Sequence, residues 1–238
     1  MDEIVKGIVI KTKDYKENDK LLSLLTFEKG KLLIKARGVK KATSKLKSFC
    51  QPFCFADFEI TQSKGGSILT GARAIDSFFT LATDYDKFTY ASFVLFLADK
   101  ICQEGQSYSE FFINLIKTLS LLDKSSVSPK MIVSKLMLDI LSSEGFEFNF
   151  ENCSCGKVFE DRIFLNLDSG EIVCNDCKDF NFIEINKGVL SSIKLIFSNN
   201  YDKLNTIKLS NSLVDKMFVV LKKDVEARFE INLSSFKF

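Results

Sequence analysis

Over the first 75 residues the apolar positions come in short alternating runs, and beyond residue 84 they recur every three to four residues. Residues 4–13 mix β-branched side chains with Lys, and residues 20–27 are dominated by Leu. Residues 30–37 (GKLLIKAR) follow a Glu-Lys-Gly turn, which pairs them with the preceding segment as a hairpin. Residues 53–62 (FCFADFEITQ) alternate in part, and Ser63-Lys64-Gly65-Gly66 turns the chain into residues 67–74. The pattern predicts five strands, with a polar, helix-compatible stretch at 42–49 between the third and fourth. That order is the order of an OB barrel, a common scaffold for single-stranded nucleic acid. Strand count alone leaves an SH3-like barrel open.

In the second regime Tyr85, Phe88, Ser92, Leu95 and Asp99 lie near helical spacing, and Phe93, Phe96 and Leu97 widen the apolar face. Residues 109–122 and 129–143 repeat the pattern. Ser128 stands as an N-cap before Pro129 at the first helical position, and Gly145 ends the helix. Two further helices are predicted near 187–198 and 210–228, with a Cys-rich insert at 150–182 before them. The expectation is an α+β fold: a five-stranded OB-type β-barrel at residues 1–78, then an α-helical domain at 79–238 that contains the insert.

Composition narrows the chemistry. The 238 residues include 24 Phe and no His, which removes every Ser-His-Asp or Cys-His nucleophile system and every His metal ligand. The N-terminal segment lacks a basic leader followed by an apolar run, and no apolar stretch approaches the roughly 20 residues that span a bilayer. A soluble, cytoplasmic protein is expected, in which the seven Cys serve as thiols or metal ligands rather than a disulfide framework. Charge is uneven. Residues 1–75 carry 15 Lys and Arg against 8 Asp and Glu, while the whole chain is only +2, so a basic first third adjoins a slightly acidic remainder. One module that meets a polyanion would produce that asymmetry.

The sharpest chemical signal is Cys153-Ser154-Cys155-Gly156, followed 18 residues later by Cys174-Asn175-Asp176-Cys177. Two close Cys pairs at that separation can present four thiolates tetrahedrally to one Zn²⁺, each pair from a tight turn. With Cys153, Cys155, Cys174 and Cys177 all as ligands, no position is left for water and the metal is structural. Four buried apolar thiols, or a redox dithiol at Cys174 and Cys177, are the competing readings. Cys50, Cys54 and Cys102 sit among apolar residues and read as buried thiols.

The second signal is six cations without an acid: Lys35, Arg37, Lys40, Lys41, Lys45 and Lys47. At the end of strand three and in the loop beyond it, they can track a phosphate backbone with little base reading, and Lys11 and Lys13 extend the track. A merely solvated face is the alternative. Tyr15, Phe27 and Phe49 are candidate stacking platforms. No phosphate loop, paired carboxylates or other catalytic arrangement is present, so no enzyme is expected.

One stretch goes further. Gly7-Ile8-Val9-Ile10, then Tyr15-Lys16-Glu17-Asn18-Asp19-Lys20-Leu21-Leu22, Leu24-Leu25-Thr26 and Glu28-Lys29-Gly30-Lys31, resembles the RecO family of recombination mediators. Ala36-Arg37-Gly38-Val39-Lys40-Lys41, Ser44-Lys45-Leu46 and Gln51-Pro52-Phe53 continue in the same order. Lys16 takes a place where that family usually has Gly, and the first Cys pair is closer than the family's common spacing. The resemblance implies an OB domain, a helical domain and a zinc-binding insert. It implies binding of single- and double-stranded DNA, annealing of complementary strands, and help in loading RecA onto strands covered by single-strand-binding protein. The implied partners are RecR and the C-terminal tail of single-strand-binding protein, with RecA indirect, and the implied location is the nucleoid during repair. A zinc-ribbon adaptor that binds only proteins is the rival reading.

Overall fold

A computed structural model describes residues 2–145, 148–160 and 162–238, in two compact units, Met1–Asp123 and Lys124–Phe238. Five strands open the first: β1 (Asp2–Tyr15), β2 (Asp19–Thr26), β3 (Gly30–Ala36), β4 (Cys54–Ser63) and β5 (Gly66–Ser77). They close a barrel in the order β1-β2-β3-β5-β4, with every pairing antiparallel except β3 with β5. That order, with its parallel closure, is the OB arrangement and removes the SH3-like alternative. β1 serves two neighbours: residues 2–8 pair with β4 and residues 7–15 with β2, across a register shift between Val9 and Lys11. A bulge there bends the long strand around the barrel. Val5, Val9, Leu22, Leu24, Ile34, Phe58, Ile60 and Leu69 fill the interior, as period-two alternation requires.

The polar stretch between β3 and β4 is not a helix. Its backbone runs as successive three-residue turns, in which Lys41 N–H bonds to Gly38 O, Ser44 to Lys41, Lys47 to Ser44, and Cys50 to Lys47. Lys41 and Lys45 would be stacked four apart in a helix, which disfavours it. Turns also let Val39 and Cys50, both buried, drop into the barrel core from above.

The helices of this unit are α1 (Tyr85–Ile101) and α2 (Ser109–Lys124). Asp84 caps α1 by accepting the N–H groups of Asp86 and Lys87. Their aromatic rings pack on the barrel: Phe112 lies 6.0 Å from both Phe27 and Phe55, and Phe88 lies 5.9 Å from Phe53. Gly30, at φ +64°, turns β2 into β3 directly beneath the loop after α1, where a Cβ would fall 1.7 Å from the Gln106 carbonyl oxygen.

The second unit is built on α3 (Pro129–Ser143), buried along most of its length. Ser128 holds the cap position through its carbonyl, which accepts from Met131 and Ile132, while its side chain makes no capping bond. Around α3 lie α4 (Lys187–Phe197) and α5 (Asn211–Arg228), each capped by a side chain, Asn186 and Ser210. The insert is a three-stranded antiparallel sheet, β6 (Arg162–Asn166), β7 (Ile172–Cys174) and β8 (Phe182–Asn186), in the order β7-β6-β8. Its hairpin turn presses on α5, because Gly170 leaves no room for a Cβ against the Arg228 guanidinium. Among the described residues, no helix is long and apolar enough to cross a membrane.

Candidate functional site

The four cysteines of the insert converge. Their Sγ atoms all lie within 4.8 Å of one another, and those of Cys155 and Cys174 are 3.8 Å apart. At a metal–sulfur bond of about 2.3 Å, the edge of a regular tetrahedron is roughly 3.8 Å. The four sulfurs are therefore close to the spacing of a tetrahedral thiolate site, pairs wider than that edge having to close by about 1 Å at most, and no pair forms a disulfide.

Local backbone explains the convergence. In the first knuckle Cys153 N–H bonds to Lys157 O and Gly156 N–H returns to Cys153 O, both at 2.8 Å, with Gly156 at φ +86°. The second follows β7 directly, where Asn175–Cys177 form one 3₁₀ turn. Lys157 and Asp176, one from each knuckle, form an ion pair at 2.5 Å. Cys153 and Cys174 are buried, and Cys155 and Cys177 are open to solvent.

The sulfurs also divide electrostatically. Burial resists ionisation of Cys153, but backbone N–H groups of Cys155 and Cys174 and the neighbouring thiols outweigh it and bring the thiol down to about 6. Cys177 is pushed up to about 12, because its proton is held among the sulfurs of Cys155, Cys153 and Cys174. Four adjacent thiols cannot all ionise without a cation between them. By contrast, burial alone dominates at Cys50, pushed up to about 12, and Cys54, pushed up to about 11, so both are inert core thiols.

The basic residues fall into two groups. Lys11 and Lys13 point outward from β1, and Lys35 is on the outer row of β3, where its ammonium donates to the Gly65 carbonyl. The turns between β3 and β4 carry Arg37, Lys40, Lys41, Lys45 and Lys47, all exposed. Two of the predicted cations are already held by carboxylates: Lys11 by Asp99 of α1 at 2.6 Å, and Lys40 by Asp14 at 2.8 Å. Lys13, Arg37, Lys41, Lys45 and Lys47 make no side-chain hydrogen bond or ion pair among the described residues.

Two cations escaped the sequence reading. Lys31 shares Asp99 with Lys11, at 2.9 Å. Lys20 stands at the start of β2, opposite Ala36 and Asp14. Both stand among acids in the sequence, Lys20 after Glu17 and Asp19 and Lys31 after Glu28, so neither reads as part of a basic run. Of the candidate platforms, Phe27 is engaged by Phe112, Phe49 packs against the barrel core, and Tyr15 is half-buried with the Lys16 ammonium 5.6 Å from its ring centre.

A closed OB barrel with a basic cover of turns, followed in the chain by a helical unit that carries four convergent cysteines, defines an OB-fold protein with a cluster able to hold a metal ion. The chain belongs to the RecO family. Residues 1–78 match the family Recombination protein O N terminal, and residues 82–235 match Recombination protein O C terminal. It is 30% identical over 217 residues to "DNA repair protein RecO" of Clostridium novyi (strain NT), covering 91% of this chain and 85% of that protein. It is 31% identical over 230 residues to the protein of the same name from Caldicellulosiruptor bescii, covering 93% and 94%. The role that follows at this level is that of a mediator of DNA repair and recombination without catalysis of its own.

Proposed function

We propose that the chain binds single- and double-stranded DNA through the basic turns of its barrel, anneals complementary strands, and assists RecA loading together with RecR. The observation that carries this reading is the set of cations Arg37, Lys41, Lys45 and Lys47, unengaged among the described residues, on the turns that cover one barrel end. Annealing requires two mutually repelling polyanions to approach while their bases stay free to pair. Lysine and arginine that neutralise phosphates, and release their counterions, meet that need without reading sequence. Lys13 and Lys35 extend the charged surface onto the strands; Lys11 and Lys40 contribute less, because a carboxylate already holds each.

Zn²⁺ held by Cys153, Cys155, Cys174 and Cys177 supplies a cross-link between the two knuckles, and with four protein ligands it offers no open position for chemistry. The insert itself is acidic: residues 150–182 contain seven Asp and Glu against three Lys and Arg. It also exposes Phe180 and Val158, 84% and 70% accessible. Those features favour proteins as partners of this part of the chain, RecR and the single-strand-binding protein tail being the candidates.

The test is the rate at which two labelled complementary strands anneal, with and without the protein, at low and moderate salt. Acceleration that weakens with salt and needs no nucleotide is the expected result. No acceleration at either salt overturns the annealing reading and leaves a zinc-ribbon adaptor that binds only proteins.

A further inference from the structure

A small cavity opens at the barrel end beneath the basic turns. Its volume is about 200 Å³, and it is lined by Lys20, Val39, Lys40, Lys47, Cys50 and Gln51. That is below the roughly 300–1,000 Å³ of a drug-sized ligand site and suits a single small group. Val39 and Cys50, each 1% exposed, form an apolar floor continuous with the core. Three lysines line it, and no acid does.

Lys20 is the unusual member. On β2 it shares the row of Leu22 and Leu24, which face the core, so alternation assigns an inward position to a cation. It is half-buried and has no ion pair or side-chain hydrogen bond among the described residues. A partly desolvated ammonium without a carboxylate bonded to it is unfavourable, and such a break in the apolar pattern marks a functional position.

The acids nearby are spent elsewhere. Asp14, opposite Lys20 in the β1–β2 ladder, is held by Lys40, and Asp19 accepts the Gly38 N–H at 2.8 Å. Lys20 and Lys47 therefore line the cavity with no carboxylate bonded to either among the described residues, Asp14 acting on Lys20 only through space. Lysine acts on a phosphate as a point charge that demands no planar geometry, so Lys20 and Lys47 with the Gln51 amide, joined by Lys40 where it leaves Asp14, complement a tetrahedral anion.

We propose that the cavity bounded by Lys20, Lys40, Lys47 and Gln51 is a subsite for one backbone phosphate of a bound single strand. This rests on the DNA-binding reading and deepens it, because it fixes where the strand enters the basic track. A phosphate seated over the apolar floor positions the strand, and Arg37, Lys41 and Lys45 on the surrounding turns guide its neighbours. The site carries no base preference, since nothing in it addresses a base edge.

The experiment measures binding of a single-stranded oligothymidylate to the full chain between low and high salt. Each lost phosphate contact lowers the slope of log affinity against log salt by about 0.7 for single strands. Lys20→Met is expected to reduce the slope by that amount, which is about fivefold weaker binding at 0.1 M salt and parity near 1 M. Lys47→Met should do the same, and Lys20→Arg, which keeps the charge, should restore the parent slope. If Lys20→Met lowers the melting temperature sharply, the exposed Lys47 carries the measurement.

A parent slope in well-folded Lys20→Met, or in Lys47→Met where Lys20→Met does not fold, overturns the subsite. The double variant Arg37→Ala/Lys41→Ala separates the two levels of the argument. If it lowers the slope while the cavity variants do not, DNA binding stands and the cavity is not a phosphate site. If the parent itself binds without salt dependence, the DNA-binding reading fails and the subsite with it.

Discussion

The pairing of Lys40 with Asp14 makes a prediction that charge counting along the sequence would get wrong. Arg37, Lys40 and Lys41 are near neighbours in one run, and by sequence they are equivalent. In the fold Arg37 and Lys41 are unengaged, whereas Lys40 is held at 2.8 Å by a carboxylate whose own side chain is 66% exposed. A phosphate contact on a single strand is worth about 0.7 log units at 0.1 M salt, or roughly 1 kcal/mol. To make one, Lys40 must leave an exposed ion pair worth roughly 0.2–1 kcal/mol. The ion pair offsets part or all of that gain, so Lys40 contributes less net affinity than Arg37 or Lys41. Arg37→Ala/Lys41→Ala should therefore weaken single-strand binding about 25-fold at 0.1 M salt, and Lys40→Ala by no more than about 3.5-fold. Conversely, Asp14→Asn frees Lys40 and should tighten binding by up to about fivefold. Fluorescence anisotropy with a labelled oligonucleotide across a salt series reads all three. A Lys40→Ala defect as large as that of Arg37→Ala, or no gain from Asp14→Asn, would refute the reasoning.

Stripping the metal should act locally. Amides of residues 153–157 and 175–177 are expected to lose hydrogen-exchange protection, while β6 and β8, whose pairing does not run through sulfur, keep theirs and the barrel keeps its melting temperature; loss of the barrel transition would contradict this. Lys16 holds φ +56°, a left-handed conformation that costs a non-Gly residue about 1 kcal/mol, so Lys16→Gly should raise stability by up to that amount in urea denaturation. Gly30→Ala, by contrast, drives a methyl into the Gln106 carbonyl and should cost more than about 2 kcal/mol by the same assay. Burial raises the Asp99 carboxyl, but the Lys11 and Lys31 ammonium groups outweigh it and hold it below the usual carboxylate range. The stability it contributes is present above about pH 4 and is lost as pH falls through the depressed folded value. Asp99→Asn should therefore be about 1–2 kcal/mol less stable at pH 7, and chemical denaturation should show the gap closing in acid.

What the sequence made legible was what is encoded within a few residues. The Glu-Lys-Gly and Ser-Lys-Gly-Gly turns separate β2 from β3 and β4 from β5, because each needs a glycine with positive φ. The Cys spacing gave the knuckles for the same reason: ligand geometry and a glycine turn are local constraints. β8 was not legible. Its five residues pair with the far side of β6, and nothing in Phe-Ile-Glu-Ile-Asn announces a partner some twenty residues earlier. The stretch at 42–49 was misjudged because local composition permits a helix, and only the barrel end it must cover turns it into a chain of bends.

The same limit applies to the charged surface, and there it bears on function. A cation's capacity to bind phosphate depends on whether an acid has reached it first, and those acids come from elsewhere in the fold. Lys11 is taken by Asp99, 88 residues away, and Lys40 by Asp14, 26 residues away. Lys20 shows the converse. Within Glu17-Asn18-Asp19-Lys20 it looks compensated, yet in the structure Asp19 turns to the Gly38 N–H and leaves the lysine facing a cavity. Net charge along the chain therefore locates the basic module but misorders its members. Lys20, whose neighbouring acids are committed elsewhere, therefore ranks above Lys40, and a salt series on Lys20→Met beside Lys40→Ala tests that ordering directly: the larger loss of slope should belong to Lys20.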